Sequence, residues 1–162
     1  MPEDGRVVFE RVSSVDVPEL RDFLTEVDLT VAGLDAPGVR LWIERDPRGG
    51  IIGSTGFELS EDGRHALIRS VAVAAAHRTV GTGSRLAMHA IDAAHAAGAS
   101  RAWLFSRRSG AFWQKLGFAS ADCGELAAVL ANAHQVQLFT ESGLLADEVA
   151  WTRPLREFSA AL

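Results

Sequence analysis

Two glycines at alternate positions, Gly81 and Gly83, follow Arg78 where an apolar, β-branched run gives way to a long helical pattern. Without a Cβ, the backbone N–H groups there can close on a ligand. At a helix N-terminus the orphan amides and the macrodipole favour phosphate. The expectation is a diphosphate-bearing ligand; the alternative is a tight strand-to-helix turn that needs glycine for its own backbone. Two phosphate loops drop out. A Walker A loop needs Lys followed by Ser or Thr, but the only lysine is Lys115. A dinucleotide fingerprint needs a third glycine, and Leu86 stands at that position.

Upstream lie two charged residues inside apolar runs. Period-two spacing puts Arg69 on one face with Leu67, Val71 and Val73. A buried guanidinium needs a partner. That partner is either a ligand carboxylate held bidentately or Glu58, near the end of the neighbouring strand. Glu58 in turn reads as a surface charge at a strand end or as the salt-bridge partner of Arg69, unless it has a chemical role of its own. Cys123 sits in a polar stretch with no activating neighbour, so a thiolate nucleophile is the weaker reading. His89 and His95 are six apart and do not match an i, i+4 ligand pair, so no metal is expected. His134 opens a late strand and reads as a surface residue rather than one that reaches the site, and Arg107 and Arg108 read as solvated rather than as partners of a phosphate.

The elements that must position these residues follow from periodicity and punctuation. A strand over 7–12 precedes a helix starting at Asp16, with Glu19 as its capping-box partner. Leu20, Phe23, Leu24 and Val27 give that helix its buried face. Residues 28–40, broken by Gly33, Pro37 and Gly38, form an irregular rim, and its part 29–35, with a hairpin loop at 141–144, is expected to border a binding pocket. Strands are expected over 40–45, 51–59 and 65–73, then a helix to Gly98 whose Ala87, Ala90, Ala94 and Ala97 pack close to a sheet. A strand over 101–106, helices over 110–116 and 125–131, and two alternating strands over 135–140 and 148–155 complete a single domain over 1–162. A meander followed by strand–loop–helix–strand implies a mixed α/β sheet.

Composition narrows the class. The chain has 162 residues, 48% of them hydrophobic, enough for a real core. One cysteine excludes a disulfide framework. A formal charge of -5 argues against a nucleic-acid partner. No apolar run reaches the roughly 20 residues of a membrane span, and the acidic start is unlike a secretory leader. A cytoplasmic protein is expected.

Arg78-Thr79-Val80-Gly81-Thr82-Gly83 resembles the Arg/Gln-x-x-Gly-x-Gly/Ala acyl-CoA loop of the GNAT N-acetyltransferase superfamily. Ser70-Val71-Ala72-Val73 looks like that family's bulged strand, and Phe112-Trp113-Gln114-Lys115-Leu116-Gly117-Phe118 like its Phe-Tyr-x-Lys-x-Gly-Phe element. Residues 66–73 are also similar to small amino-acid and arsenic-resistance-associated N-acetyltransferases. The resemblance implies a mostly antiparallel GNAT-like sheet flanked by helices, acetyl-CoA as cosubstrate, a small, amino-acid-like amine as acceptor, and a homodimer. It implies that backbone groups of Val71 and Val73 pair with the pantetheine arm. The Val71 or Ala72 region would supply an N–H to the thioester oxygen, and the amides of Thr79, Val80, Gly81, Thr82, Gly83 and Ser84 would hold the pyrophosphate. Two departures stand out. Trp113 occupies the place of the usual general-acid tyrosine, and the chain has no tyrosine. The strand glutamate used as base in histone-type members falls at about Leu67. Water or Ser106 is the substitute acid and Glu58 the substitute base. An idle acyl-CoA-binding module and a protein N-acetyltransferase are the alternatives.

Overall fold

The computed structural model describes residues 8–78 and 81–155. Its strands are β1 (Glu10–Arg11), β2 (Val39–Arg45), β3 (Ile51–Leu59), β4 (His65–Val73), β5 (Arg101–Phe105), β6 (Ala119–Ala121) and β7 (Ala150–Pro154). Its α-helices are α1 (Val17–Glu26), α2 (Thr82–Ala96), α3 (Gly110–Lys115), α4 (Cys123–Val129) and α5 (His134–Ser142). The strands form one sheet in the order β1-β2-β3-β4-β5-β7-β6. Every pair is antiparallel except β4 with β5. A parallel pair requires a crossover, and α2 provides it.

Alternation along the central strands sends side chains to two cores. On one face Phe57, Ala66, Ile68, Ala102 and Leu104 pack with α2, whose Ala87, Ala90 and Ala94 are fully buried, and with Trp113 of α3. Small residues let this helix approach closely; the Thr55 hydroxyl donates to the Leu86 carbonyl of α2 at 2.7 Å. The helix stops as expected, with Gly98 at φ 106 just past its end. On the other face Leu20 and Leu24 of α1 cover Leu41, Ile43 and Ala72. Leu126, Leu130 and Val136, from α4 and α5, cover Leu67, Trp103 and Ala150 on that face. No helix among the described residues is long and apolar enough to cross a membrane.

The structure corrects several expectations. The segment 135–140 is helix, not strand: Ala133, Val136 and Phe139 recur at three-residue spacing, and Val136 is buried while Leu138 is exposed. Phe139 meets Phe105 edge to face at 5.1 Å. No hairpin therefore exists at 141–144; Gly143, at φ 75, caps α5. The capping box lies one turn earlier than expected. Ser13 N–H and Oγ donate to Asp16 Oδ2 at 2.9 and 3.0 Å, while Glu19 instead pairs with Arg45 at 3.0 Å. The short edge strand β6 was not anticipated, because three small residues carry too little pattern. The start of the expected first strand, Val7, lies outside the described residues.

The β-bulge that the resemblance implies at 70–73 is present, and it overturns the face assignment made from simple alternation. From Gly56↔Arg69 to Ser54↔Ala72, β3 advances two residues and β4 three, with Ser70 at φ 59. The bulge reverses the alternation. Arg69 shares its face with Leu67 and Ala72, whereas Val71 packs into the α2-side core and Val73 lies opposite Gly53, beneath Leu86.

Candidate active site

The parallel ladder between β4 and β5 is short: His65, Ala66 and Leu67 pair with Arg101, Ala102 and Trp103, and there it ends. Beyond Leu67, the side of β4 away from β3 faces no strand among the described residues. The bulge at Ser70 and Val71 lies on this open stretch. Its end is folded back on itself, since exposed Arg78 donates through Nε to the Val73 carbonyl at 3.0 Å. The path then leads to α2, whose N-cap is Gly81 at φ 90 and ψ -14, with no side chain capping the helix. That backbone explains glycine at 81. Gly83 has no such reason. Its φ is not left-handed, and an added Cβ would meet Phe112 at 3.5 Å, an ordinary contact. Thr82 is buried, Ser84 half-buried, and Thr79 and Val80 lie outside the described residues.

An open strand edge running into the N-terminus of a helix fits an extended thioester arm with a diphosphate at its far end. The donors present are thus of the kind acetyl-CoA requires.

The sheet face opposite α2 carries a buried polar cluster. Glu58, on β3, lies opposite Leu67 and on the same face as Arg69. Arg69 Nη1 is 3.5 Å from Glu58 Oε2, and Arg69 Nε donates to Ser70 Oγ at 3.1 Å. Burial pushes the Arg69 guanidinium below its ordinary pKa, opposed by the Glu58 carboxylate. Its Nη2 is buried without a hydrogen-bond partner. The internal pair that the sequence allowed is therefore present, with one donor left over.

The third member is one for which the sequence favoured a surface position. His134 is the first residue of α5, and both its backbone N–H (2.9 Å) and its Nδ1 (2.5 Å) meet Glu58 Oε1. The alternating run after His134 suggested a strand and concealed it. No sequence signal pointed to it: Gly33, which lies against the ring, reads in the sequence only as a loop breaker.

The other candidates sort plainly. Trp113 is buried, edge-on to Phe112 at 4.9 Å and to Phe118 at 5.4 Å. Ser106 Oγ accepts from the Ser109 amide at 3.1 Å. Arg107 and Arg108 are exposed and make long ion pairs with Glu148 and Asp28. Burial, with the Asp122 and Glu148 carboxylates adding to it, pushes the Cys123 thiol up, the reverse of an activated nucleophile. No cluster of three or more His, Cys, Asp or Glu among the described residues could hold a metal.

Solved structures share this fold. N-acetylglutamate synthase from Neisseria gonorrhoeae, complexed with coenzyme A and N-acetyl-glutamate, has 20% identity and a TM-score of 0.75. That match covers 94% of this chain but only 36% of the synthase. A GNAT-family acetyltransferase from Staphylococcus aureus has 13% identity over 93% of this chain and 100% of its own, with a TM-score of 0.73. Rv2747 from Mycobacterium tuberculosis, solved in complex with CoA, has 17% identity over 92% and 99% of the two chains, with a TM-score of 0.72. No curated protein sequence matches the chain. The sequence profile of the Acetyltransferase (GNAT) family matches residues 9–118, more than half of the chain. With the bulged strand, the open ladder and the glycine-capped helix, that match makes the chain a GNAT-family acetyltransferase that uses acetyl-CoA as cosubstrate.

Proposed function

We propose that the chain is a single N-acetyltransferase domain that transfers the acetyl group of acetyl-CoA to the primary amine of a small, amino-acid-like acceptor. Transfer proceeds by direct attack in a ternary complex. The observation that carries this reading is the edge of β4 left without a partner strand beyond Leu67 among the described residues, leading to the glycine-capped N-terminus of α2. The amides of 79–84 hold the diphosphate, and Val71 and Val73 pair with the pantetheine arm. An N–H near Val71 or Ala72 faces the thioester oxygen, a kind of donor worth about 2.7–4 kcal/mol in the transition state. With indole at position 113, water or Ser106 protonates the departing thiolate.

The amino-acid-like acceptor is supported by the fold shared with a synthase complexed with N-acetyl-glutamate. The run 66–73 assigns the chain to the small amino-acid and arsenic-resistance-associated branch. We place it in the cytoplasm, as a homodimer.

Calorimetric titration with acetyl-CoA tests the reading. The wild type is expected to bind at micromolar concentration, and a folded Arg78→Glu, Gly81→Asp variant is expected not to bind. Thiol release across amino acids and polyamines then identifies the acceptor. An absence of wild-type binding at high acetyl-CoA would sink the proposal.

A further inference from the structure

Glu58 cannot meet an acceptor directly. Its side chain is 4% exposed, with Oε1 taken twice by His134 and Oε2 facing Arg69, whose side chain is 0% exposed. The cluster reaches solvent through the imidazole, which is 37% exposed. A carboxylate in its ionised form only accepts, which makes Nδ1 the donor and, in a neutral ring, leaves the lone pair on Nε2.

The ring is also clamped. At Gly33 an added Cβ would stand 2.5 Å from His134 Cγ, so the loop between α1 and β2 lies directly against the imidazole. The next residue, Gln135, donates through Nε2 to Thr30 Oγ1 of that loop at 2.6 Å. The clamp sits at a telling level of the sheet. Glu58 is opposite Leu67, the last residue of β4 that pairs with β5, so the ring lies where the two strands part.

We propose that His134 Nε2 is the base that deprotonates the incoming amine, and that Glu58 is its positioning residue, fixing the tautomer and the ring. The inference rests on the acetyltransferase reading above. The acceptor ammonium gives one proton to Nε2. The freed nitrogen lone pair forms the C–N bond to the acetyl carbonyl carbon as the C–S bond breaks. The second N–H proton goes to the departing thiolate, giving the CoA thiol, and His134 returns its proton to solvent.

The test uses His134→Gln, His134→Ala and Glu58→Gln in the full chain, each checked for folding by circular dichroism. Acetyl-CoA affinity is read by calorimetry. Turnover is read as thiol release with the best amine of an amino-acid and polyamine panel, or as acetyl-CoA hydrolysis where no amine exceeds water. Both His134 variants are expected to keep acetyl-CoA affinity and lose about 10²–10⁴-fold in kcat. Added imidazole should partly restore His134→Ala. Nitrogen-15 spectra should show the Nδ1–H tautomer in the wild type and its loss in Glu58→Gln. Turnover of His134→Gln within threefold of wild type, or an Nε2–H tautomer in the wild type, overturns the base while leaving the acetyltransferase reading intact. Failure of the wild type to bind acetyl-CoA overturns both.

Discussion

Arg69 is the residue on which the chain spends a buried charge, and its removal is expected to be costly. Arg69→Gln leaves Glu58 with a neutral partner in a dry site, a change that costs about 3–5 kcal/mol when a buried pair is broken. Urea denaturation checks this, and adding Glu58→Gln should recover part of the loss. In the folded fraction, a carboxylate-binding Arg69 predicts a larger rise in KM for carboxylate-bearing amines than for neutral ones. His89 gives a pH signature of a different kind. Its ring lies 4.8 Å from Trp42 and 4.5 Å from Phe9, and burial lowers its pKa, opposed by Asp92. Because the folded imidazole protonates less readily than the unfolded one, the unfolded state binds more protons between the two pKa values. Stability is therefore full above the ordinary imidazole pKa and falls as pH drops below it. His89→Phe is expected to flatten the Tm profile below about pH 6.5, where the loss occurs. At this scale the sequence was half legible. Glu58 and Arg69 stand out as charges in apolar runs, but His134 is 76 positions from Glu58, and no local pattern announces that they meet.

At the scale of elements, punctuation and strong patterns were read well and weak ones badly. β3, β4 and α2 emerge where apolar periodicity is long and bounded by turn residues. The run at 135–140 alternates by accident of Gln placement, and docking on β5 and β7 decided for helix. The bulge escaped face assignment because one extra residue in β4 reverses every side chain after it. Close packing between β2 and β3 makes a prediction of its own. A Cβ at Gly56 would collide with the Arg40 carbonyl and with Leu41. Gly56→Ala is therefore expected to cost about 1–3 kcal/mol through overpacking, read as a lower denaturation midpoint with an unchanged m-value. A neutral result would mean that the two strands can part without penalty.

The molecule as a whole is a sheet that is continuous in order but interrupted in hydrogen bonding. Its mixed α/β class and meander-then-crossover topology were legible, since both depend on element order alone. The splay between β4 and β5 was not, because strand divergence leaves no mark on composition or periodicity. That splay has a colloidal consequence. The side of β4 beyond Leu67 has no partner strand among the described residues, and an unpaired strand edge is the kind of surface that templates pairing with another chain. A ligand lying along it would act as a guard against self-association as well as a substrate. Light scattering at a fixed temperature below the melting transition should therefore rise more slowly with acetyl-CoA present than with an equal concentration of ATP, which shares the charged nucleotide end but has no arm to lay along the strand.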